Sequence, residues 1–383
     1  MDFELSDEQR ALRRTIREFA VAEIAPHTAA WDAAGDFPLD TIRRLGELGV
    51  MGLPFPEAEG GVGAGALELA LVIEELARVD SSVAITVSAN VGLAGVVLHQ
   101  FGSAAQKERW LAPLARGQTL GALAGTEPSA GSDVAGISTT ARLEDGTWRL
   151  NGTKAFITNA GTPVSAFVVT TAVTGRGADG LPEISMVLVP NGTPGYEPGP
   201  PYHKLGWHAS DTRELVFQDC TVPEDHLVGP RGAGVRQFLS VLDGGRVGVA
   251  ALAVGLAQGA LDQAVAYAKE RTAFGEPIAR KQGVQFPLAD VATEIEAARL
   301  LVWRAAALRD RGQPFGQAAA MAKLFASELA VRAANVSLQV HGGYGYMEEA
   351  PIARFYRDAK ILTIGEGTSE IQRLVIARGL GLE

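Results

Sequence analysis

The chain has 383 residues, 47% of them apolar and 20% charged, with a formal net charge of −10. That length exceeds one compact core and calls for two or three sub-domains, while an acidic balance without long basic runs argues against nucleic acid as a partner. A single cysteine, Cys220, excludes an internal disulfide, a zinc ribbon and an iron–sulfur cluster, and the six histidines show no metal-ligand spacing.

The first third reads as helices. Ser6 to Gln9 forms a capping box, and Leu12, Ile16, Phe19 and Ala20 make an apolar stripe that ends before Pro26. A second helix starts at Pro38, carries Leu39, Ile42 and Leu45, and stops at Gly49. Gly61-x-Gly63-x-x-Ala66 fits the dinucleotide fingerprint as a string, but Pro54 and Pro56 stand where its strand must be, so it reads as a turn. Helical stretches follow over 66–78 and 82–100, with a shorter one to about residue 116. No apolar run reads as long enough to span a membrane. The acids Asp2, Glu4, Asp7 and Glu8 are unlike a signal or transit peptide, and the expected location is the cytoplasm.

The period then changes. Residues 135–143 and 147–150 read as short strands, Asn151-Gly152 as a hairpin turn and 155–158 as its return strand. Runs at 167–171, 184–189 and 214–217 extend this to an antiparallel β domain of roughly a hundred residues. Long apolar helices over 235–269, 284–311 and 315–340 suggest a bundle with a helix–helix interface. The expected fold is mainly α with a central β domain: a helical domain at 1–120, the β domain at 121–234 and a C-terminal helical bundle at 235–383.

Two stretches carry chemistry. In Ile364-Gly-Glu-Gly-Thr-Ser-Glu-Ile-Gln372 one carboxylate, Glu366, stands between two glycines, ahead of a helix that Ser369 can cap and Gly379 can end. In Leu123-Ala-Gly-Thr-Glu-Pro-Ser-Ala-Gly-Ser-Asp133 small residues expose backbone N–H groups beside the hydroxyls of Thr126, Ser129 and Ser132, a setting for a phosphate or the polar edge of a ring. An esterase reading of His341-Gly-Gly fails because the chain has no Gly-x-Ser-x-Gly.

Taken in order, Thr-Glu-Pro-x-Ala-Gly-Ser-Asp, Phe-Ile-Thr-Asn, Glu-Arg-x-x-Phe-Gly, Gln-x-x-Gly-Gly-x-Gly and Glu-Gly-Thr resemble the acyl-CoA dehydrogenase family of flavoproteins over almost the whole chain. The resemblance implies FAD held by Leu123, Thr126 and Ser132, with Phe156, Ile157 and Thr158 lining the flavin. Phe156 stands where many members have Trp. It implies that Arg271, Phe274, Gln282 and the segment from Gln339 through Gly342 to Gly343 reach the FAD of a neighbouring subunit, and that Thr368 and Glu370 close over the cofactor. Ser132, Asp243, Arg246 and Gly367 match substrate-binding positions; by spacing alone, Asp243 and Arg246 read as a helix-surface ion pair.

Glu366 matches the base that takes the α-proton of the thioester, while the flavin accepts the β-hydride. The family's alternative base position is occupied here by Gly245. The function so implied is α,β-desaturation of a short-chain acyl-CoA by a homotetramer that passes electrons to an electron-transferring flavoprotein. The alternatives are a short-branched-chain dehydrogenase, an acyl-CoA oxidase and, outside the enzymes, a catalytically silent flavoprotein subunit. No metal, nucleic acid or membrane is expected as partner.

Overall fold

The computed structural model describes residues 4–177 and 180–382. The N-terminal third comprises α1 (Asp7–Phe19), α2 (Thr28–Ala34), α3 (Leu39–Glu47), α4 (Ala66–Ala77), α5 (Ser81–Ala89), α6 (Val96–Phe101), α7 (Ala104–Gln106) and α8 (Ala112–Ala115). The strands follow as β1 (Leu120–Ala124), β2 (Thr140–Glu144), β3 (Thr147–Thr158), β4 (Ser165–Arg176), β5 (Pro182–Pro190), β6 (Tyr196–Pro201), β7 (Thr212–Pro223) and β8 (Leu227–Val228). The last third holds α9 (Gly234–Glu270), the ribbon β9 (Thr272–Ala273) and β10 (Glu276–Pro277), then α10 (Gln282–Asp310), α11 (Gly316–His341), α12 (Pro351–Ala359) and α13 (Ser369–Gly379).

The helix ends follow the local chemistry. Ser6 Oγ accepts from Gln9 N at 3.2 Å and Gln9 Oε1 accepts from Ser6 N at 2.9 Å, closing the capping box of α1. Gly49, at φ 77°, ends the α3 turn. Residues 53–65 form no strand, and Gly61 lies so close to the Phe55 carbonyl that a β-carbon would overlap it. A π-helical stretch, Asn90–Gly95, joins α5 to α6. The resulting rod Ser81–Phe101, with mean hydropathy 1.7, and α9, with 1.5, are long and apolar enough to cross a membrane, contrary to the reading of the sequence. Their most apolar windows are 94% and 78% buried inside the protein, as core helices are.

The sheet corrects the sequence reading at its centre. Asn151-Gly152 is not a hairpin: Thr147–Thr158 is one continuous strand. The two-residue turn is Asp145-Gly146, at φ 48° and 76°, with Glu144 paired to Thr147 on either side. Asn151 serves a bulge instead. Its side chain donates to Asp219 Oδ1 at 3.2 Å and accepts from Asp219 N at 2.9 Å, where the pairing of β3 with β7 shifts register. Residues 135–139 precede β2 as an irregular segment, and β1 and β6 were not legible. The order is β6-β7-β3-β2-β4-β5-β8, and β1 joins β4 in parallel, so the sheet is mixed.

Buried ion pairs tie the two helical thirds together. Arg299 on α10 donates to Glu74 on α4 at 2.9 Å, and Arg354 on α12 meets Asp80, the N-cap of α5. Ser81 Oγ donates to Asp358 at 2.6 Å. Asp310, at the end of α10, accepts from Ala66 N at 2.6 Å and Leu67 N at 3.2 Å, capping α4 from the far end of the sequence. Arg13 and Arg17 of α1 converge on Glu75 at 2.5 and 2.6 Å.

Two glycines separate the hairpin from the bulge by experiment. Gly146 faces open space, so Gly146→Ala meets only the left-handed backbone penalty, about 1–2 kcal/mol. At Gly152, φ 147°, a β-carbon would lie 2.5 Å from Thr139 Oγ1 and 2.7 Å from its Cα. Gly152→Ala should therefore cost more, roughly 2–5 kcal/mol, in denaturant midpoints. Equal losses at the two sites would contradict the close packing of Gly152 on Thr139.

Candidate active site

Glu366 lies in the connection between the 3-10 turn Lys360–Thr363 and α13. It has φ 53° and is followed by Gly367 at φ 90°, so two consecutive residues are left-handed. The turn is held from three sides. Thr368, not Ser369, is the N-cap of α13: its hydroxyl accepts from Ile371 N at 3.3 Å, which leaves Ser369 as the first helical residue, with a buried and unpartnered hydroxyl. Gln372 Nε2 donates to the carbonyls of Gly367 at 2.9 Å and Glu366 at 3.3 Å. Lys323 of α11, fully buried, donates to the same Gly367 carbonyl at 2.7 Å. The helix runs through Gly379 and the left-handed stop is Gly381, not Gly379.

The Glu366 residue is half-buried, but its Oε2 is enclosed and has no hydrogen-bond partner. It stands over Gly245 of α9, where a β-carbon would overlap Glu366 Oε2 and lie 2.8 Å from Leu93 Cδ2. The next residue, Arg246, is buried and bonded to Asp243, and its Nε has no partner. The spacing of this pair suggested a solvated helix face; the fold turns Arg246 inward. Burial pushes the Glu366 carboxyl up to about 7, against the pull of Lys323 and Arg246. A carboxyl so poised can take a proton near neutral pH. Gly365 is open, a β-carbon there meeting only Ile361 O at 3.6 Å and Ile361 Cγ1 at 3.9 Å.

The second cluster surrounds the loop after β1. Glu127 and Lys154 form a buried pair at 2.8 Å, both essentially inaccessible. Glu127 also accepts from the amides of Ser138 at 2.7 Å and Thr139 at 3.0 Å. Burial works against the Glu127 charge, but Lys154 and these donors overcome it and hold the carboxyl at about 2. Ala155 N donates to Thr126 O at 2.9 Å, and Gly125 lies against the Phe238 ring of α9, where a β-carbon would not fit. Leu123 packs on the helical core, Thr126 is half-buried and Ser132 is exposed.

On β3, Phe156 projects outward at φ 61°, 67% exposed and backed by Tyr202 at 5.3 Å. An aromatic held out in a left-handed conformation offers a face to a flat ring. Thr158 is half-buried, whereas the Ile157 side chain turns into the sheet core at 3% exposure.

Arg271, Gly342 and Gly343 come together in a cavity of about 490 Å³, shared with Tyr267, His341 and Tyr344. Arg271 stands 5.9 Å over the Tyr344 ring, and Tyr267 stacks on His341 at 4.4 Å. Phe274 is 96% exposed. Gln282, Gln339 and Glu370 are exposed as well, none of them in the cavity lining. The cavity lies at the C-terminal end of α11. Lys323, beside Glu366, is eighteen residues earlier on that helix, or roughly 27 Å at helical rise. One subunit therefore does not bring Arg271 and Glu366 to a common point.

Lys323 and Lys154 were not singled out from the sequence, and Gln372, read there as the partner of Ser369 in a capping box, instead holds the Glu366 and Gly367 carbonyls. Lys323 did leave a signal: it is the one cation in the alanine stripe Ala319, Ala322, Ala326 and Ala330, which the fold buries completely.

Three family models match the chain: the acyl-CoA dehydrogenase N-terminal domain over residues 6–118, the middle domain over 122–220 and the C-terminal domain over 232–381. A probable acyl-CoA dehydrogenase of Bacillus subtilis is 49% identical over 380 residues, 99% of this chain and 100% of that protein. The butyryl-CoA dehydrogenase structure from Megasphaera elsdenii superposes with a TM-score of 0.96 at 43% identity, covering 99% of this chain and 100% of that one. A chain from the structure of the electron transferring flavoprotein of Acidaminococcus fermentans, described with flavin-based electron bifurcation, gives a TM-score of 0.96 at 44% identity, covering 99% of both.

The Glu127–Lys154 pair fixes the loop to β3, and Lys154→Met leaves a buried carboxylate unpaired. The expected loss is about 3–5 kcal/mol in unfolding free energy, with faster hydrogen exchange at the Ser138 and Thr139 amides. Wild-type exchange at those amides in the variant would show that Lys154 does not hold the loop.

Proposed function

The chain belongs to the acyl-CoA dehydrogenase family, and from that premise we propose α,β-desaturation of a short-chain acyl-CoA thioester to the trans-2-enoyl-CoA. FAD is the cofactor, and an electron-transferring flavoprotein takes the electrons. The observation that carries the reading is Glu366 Oε2: enclosed, without a partner, poised near neutrality and set over the bare backbone of Gly245.

The residues present fit the cofactor. The outward Phe156 ring offers a stacking face, and Thr126, Ser132 and Thr158 bring hydroxyls to the same loop and strand. In this reading Arg271, Gln339, Gly342 and Gly343 serve a neighbouring subunit of a homotetramer. Support comes from the roughly 27 Å along α11 that separates the Arg271 cavity from Lys323, beside Glu366, and from the exposure of Phe274, Tyr344 and Tyr346.

Glu366 as a carboxylate takes the proton from Cα, and the electrons of that bond form the double bond to Cβ as the β-hydrogen leaves with its own pair. FAD, when bound, supplies the acceptor for that hydride and passes two electrons on. Arg246 and Asp243 orient the thioester side of the substrate, and the carbonyl oxygen that gains negative charge needs donors beside it. The open space at Gly365 and the Leu93 side chain beside Gly245 favour short acyl chains with room for a branch.

A yellow preparation should bleach without air on adding butyryl-CoA, and slow reoxidation by dioxygen sets a dehydrogenase apart from an oxidase. The bleaching rate should fall as pH drops through about 7, because Glu366 must be ionised to act. Glu366→Gln should keep its flavin and bind acyl-CoA, yet lose about 10²–10⁴-fold in rate. Near-normal bleaching by this variant would refute the assignment.

The overlap of a β-carbon at Gly245 with Glu366 Oε2 means that both positions address one volume. Moving the carboxylate, Glu366→Gly with Gly245→Glu, should restore part of the activity lost in Glu366→Gly alone and raise the ratio of branched to straight substrates. A double variant no faster than the single one would show that the two positions do not reach the same carbon.

A further inference from the structure

The base stands on a turn whose two left-handed residues are fixed by donors from other helices. Gln372 reaches back from α13 to both carbonyls, but it belongs to the same local segment and moves with it. Among the described residues, the one tie from a different long helix is Lys323. Its Nζ donates to Gly367 O at 2.7 Å from the first third of α11, whose alanine-rich face packs closely on the core. No exposed part of Lys323 remains, so the ammonium is there at the cost of its hydration. Burial of this kind holds it down to about 8, although Glu366 and Glu370 pull the other way.

A fully buried lysine with a single backbone acceptor is an expensive way to hold a turn, since a neutral donor would hold it at less cost. What the charge adds is its field at Glu366. The charged groups that act on Glu366 are Lys323 from α11 and Arg246 from α9. Arg246 is already bonded to Asp243, while Glu370, on α13, acts on Lys323. Leu93, which faces Glu366 from the segment between α5 and α6, brings no charge. Among the described residues, Lys323 is thus the cation near the base with no carboxylate bonded to it.

We propose that Lys323 is the positioning residue of the catalytic base: its ammonium pins the Gly367 carbonyl, which sets the direction of Glu366, and its charge keeps the Glu366 carboxylate ionised in the enclosed site. This rests on Glu366 being the base, as above. The two contributions separate chemically. Lys323→Gln retains a donor for Gly367 O and loses the charge; Lys323→Met loses both; Lys323→Arg retains the charge and a donor.

The test is the pH dependence of anaerobic bleaching of the flavin-loaded enzyme by butyryl-CoA, with the protonation of Glu366 followed independently by infrared difference titration against Glu366→Gln. Removing a nearby positive charge favours the neutral carboxyl, so both Lys323→Gln and Lys323→Met should move the acidic limb and the infrared titration upward by roughly one pH unit or more. Lys323→Met should also slow bleaching at its pH optimum by about a hundredfold through misdirection of the base, with KM for butyryl-CoA within a few-fold of wild type. Lys323→Gln should keep most of that rate, and Lys323→Arg should leave the limb in place. Should Lys323→Met not fold, the Gln and Arg variants decide the matter alone. A lowered melting temperature and flavin content with an unmoved acidic limb would overturn the proposal and leave a packing role. Wild-type enzyme that butyryl-CoA does not bleach would instead count against the function on which the proposal rests.

Discussion

Helix α9 approaches α4 so closely that two of its residues have no room for a side chain. A β-carbon at Gly255 would overlap the Glu74 carbonyl, and one at Gly259 the carbonyl of Arg78. Everything that matters chemically is referred to this contact, because α9 runs 37 residues and touches each part of the site in turn. Phe238 near its start supports the loop after β1, Gly245 and Arg246 face the base, and Arg271 follows its last turn. Backbone-to-backbone packing is stiff: there is no rotamer to change, and a shift of α9 would have to break the interlock along its length.

The site uses small residues for space and large buried charges for direction. Gly245 gives up a side chain so that the Glu366 carboxylate can sit over α9, and Gly367 lets the turn reverse behind it. Against these voids stand Lys323, Arg246 and the Glu127–Lys154 pair, all removed from water. Each charge is costly in isolation, and each is matched or lies beside a group whose ionisation it supports. The result is a carboxyl in which burial and cations oppose one another, so that its proton affinity falls where a base can both take and release a proton.

Helix period made the long helices legible, since residues 66–78, 235–269, 284–311 and 315–340 differ from the observed elements only at their ends. The hairpin was misread because Asn-Gly and Asp-Gly six residues apart both satisfy the same turn chemistry, and only the pairing of β2 with β3 chooses between them. Strand β1, Leu-Gly-Ala-Leu-Ala, is too short and too poor in branched residues to announce itself; burial by its neighbours makes it a strand. Glu366 was legible as a lone acid between glycines. The motif string names Ile157 without showing that strand alternation turns its side chain into the sheet core. Lys323 escaped because its role is tertiary: a lysine on a helix is ordinary until the partner helix arrives.

The cross-links between the helical thirds bear on how the chain is made. Glu74 and Asp80, buried on α4 and α5, meet Arg299 and Arg354, and the first turn of α4 is capped by Asp310. A ribosome delivers those partners more than two hundred residues after the carboxylates they neutralise. Until then the N-terminal helices hold acids facing a core that does not yet exist and a helix start with open amides. The first domain in the sequence is thus among the last to be finished, and the nascent chain carries a helical layer that waits, exposed, for the end of its own translation.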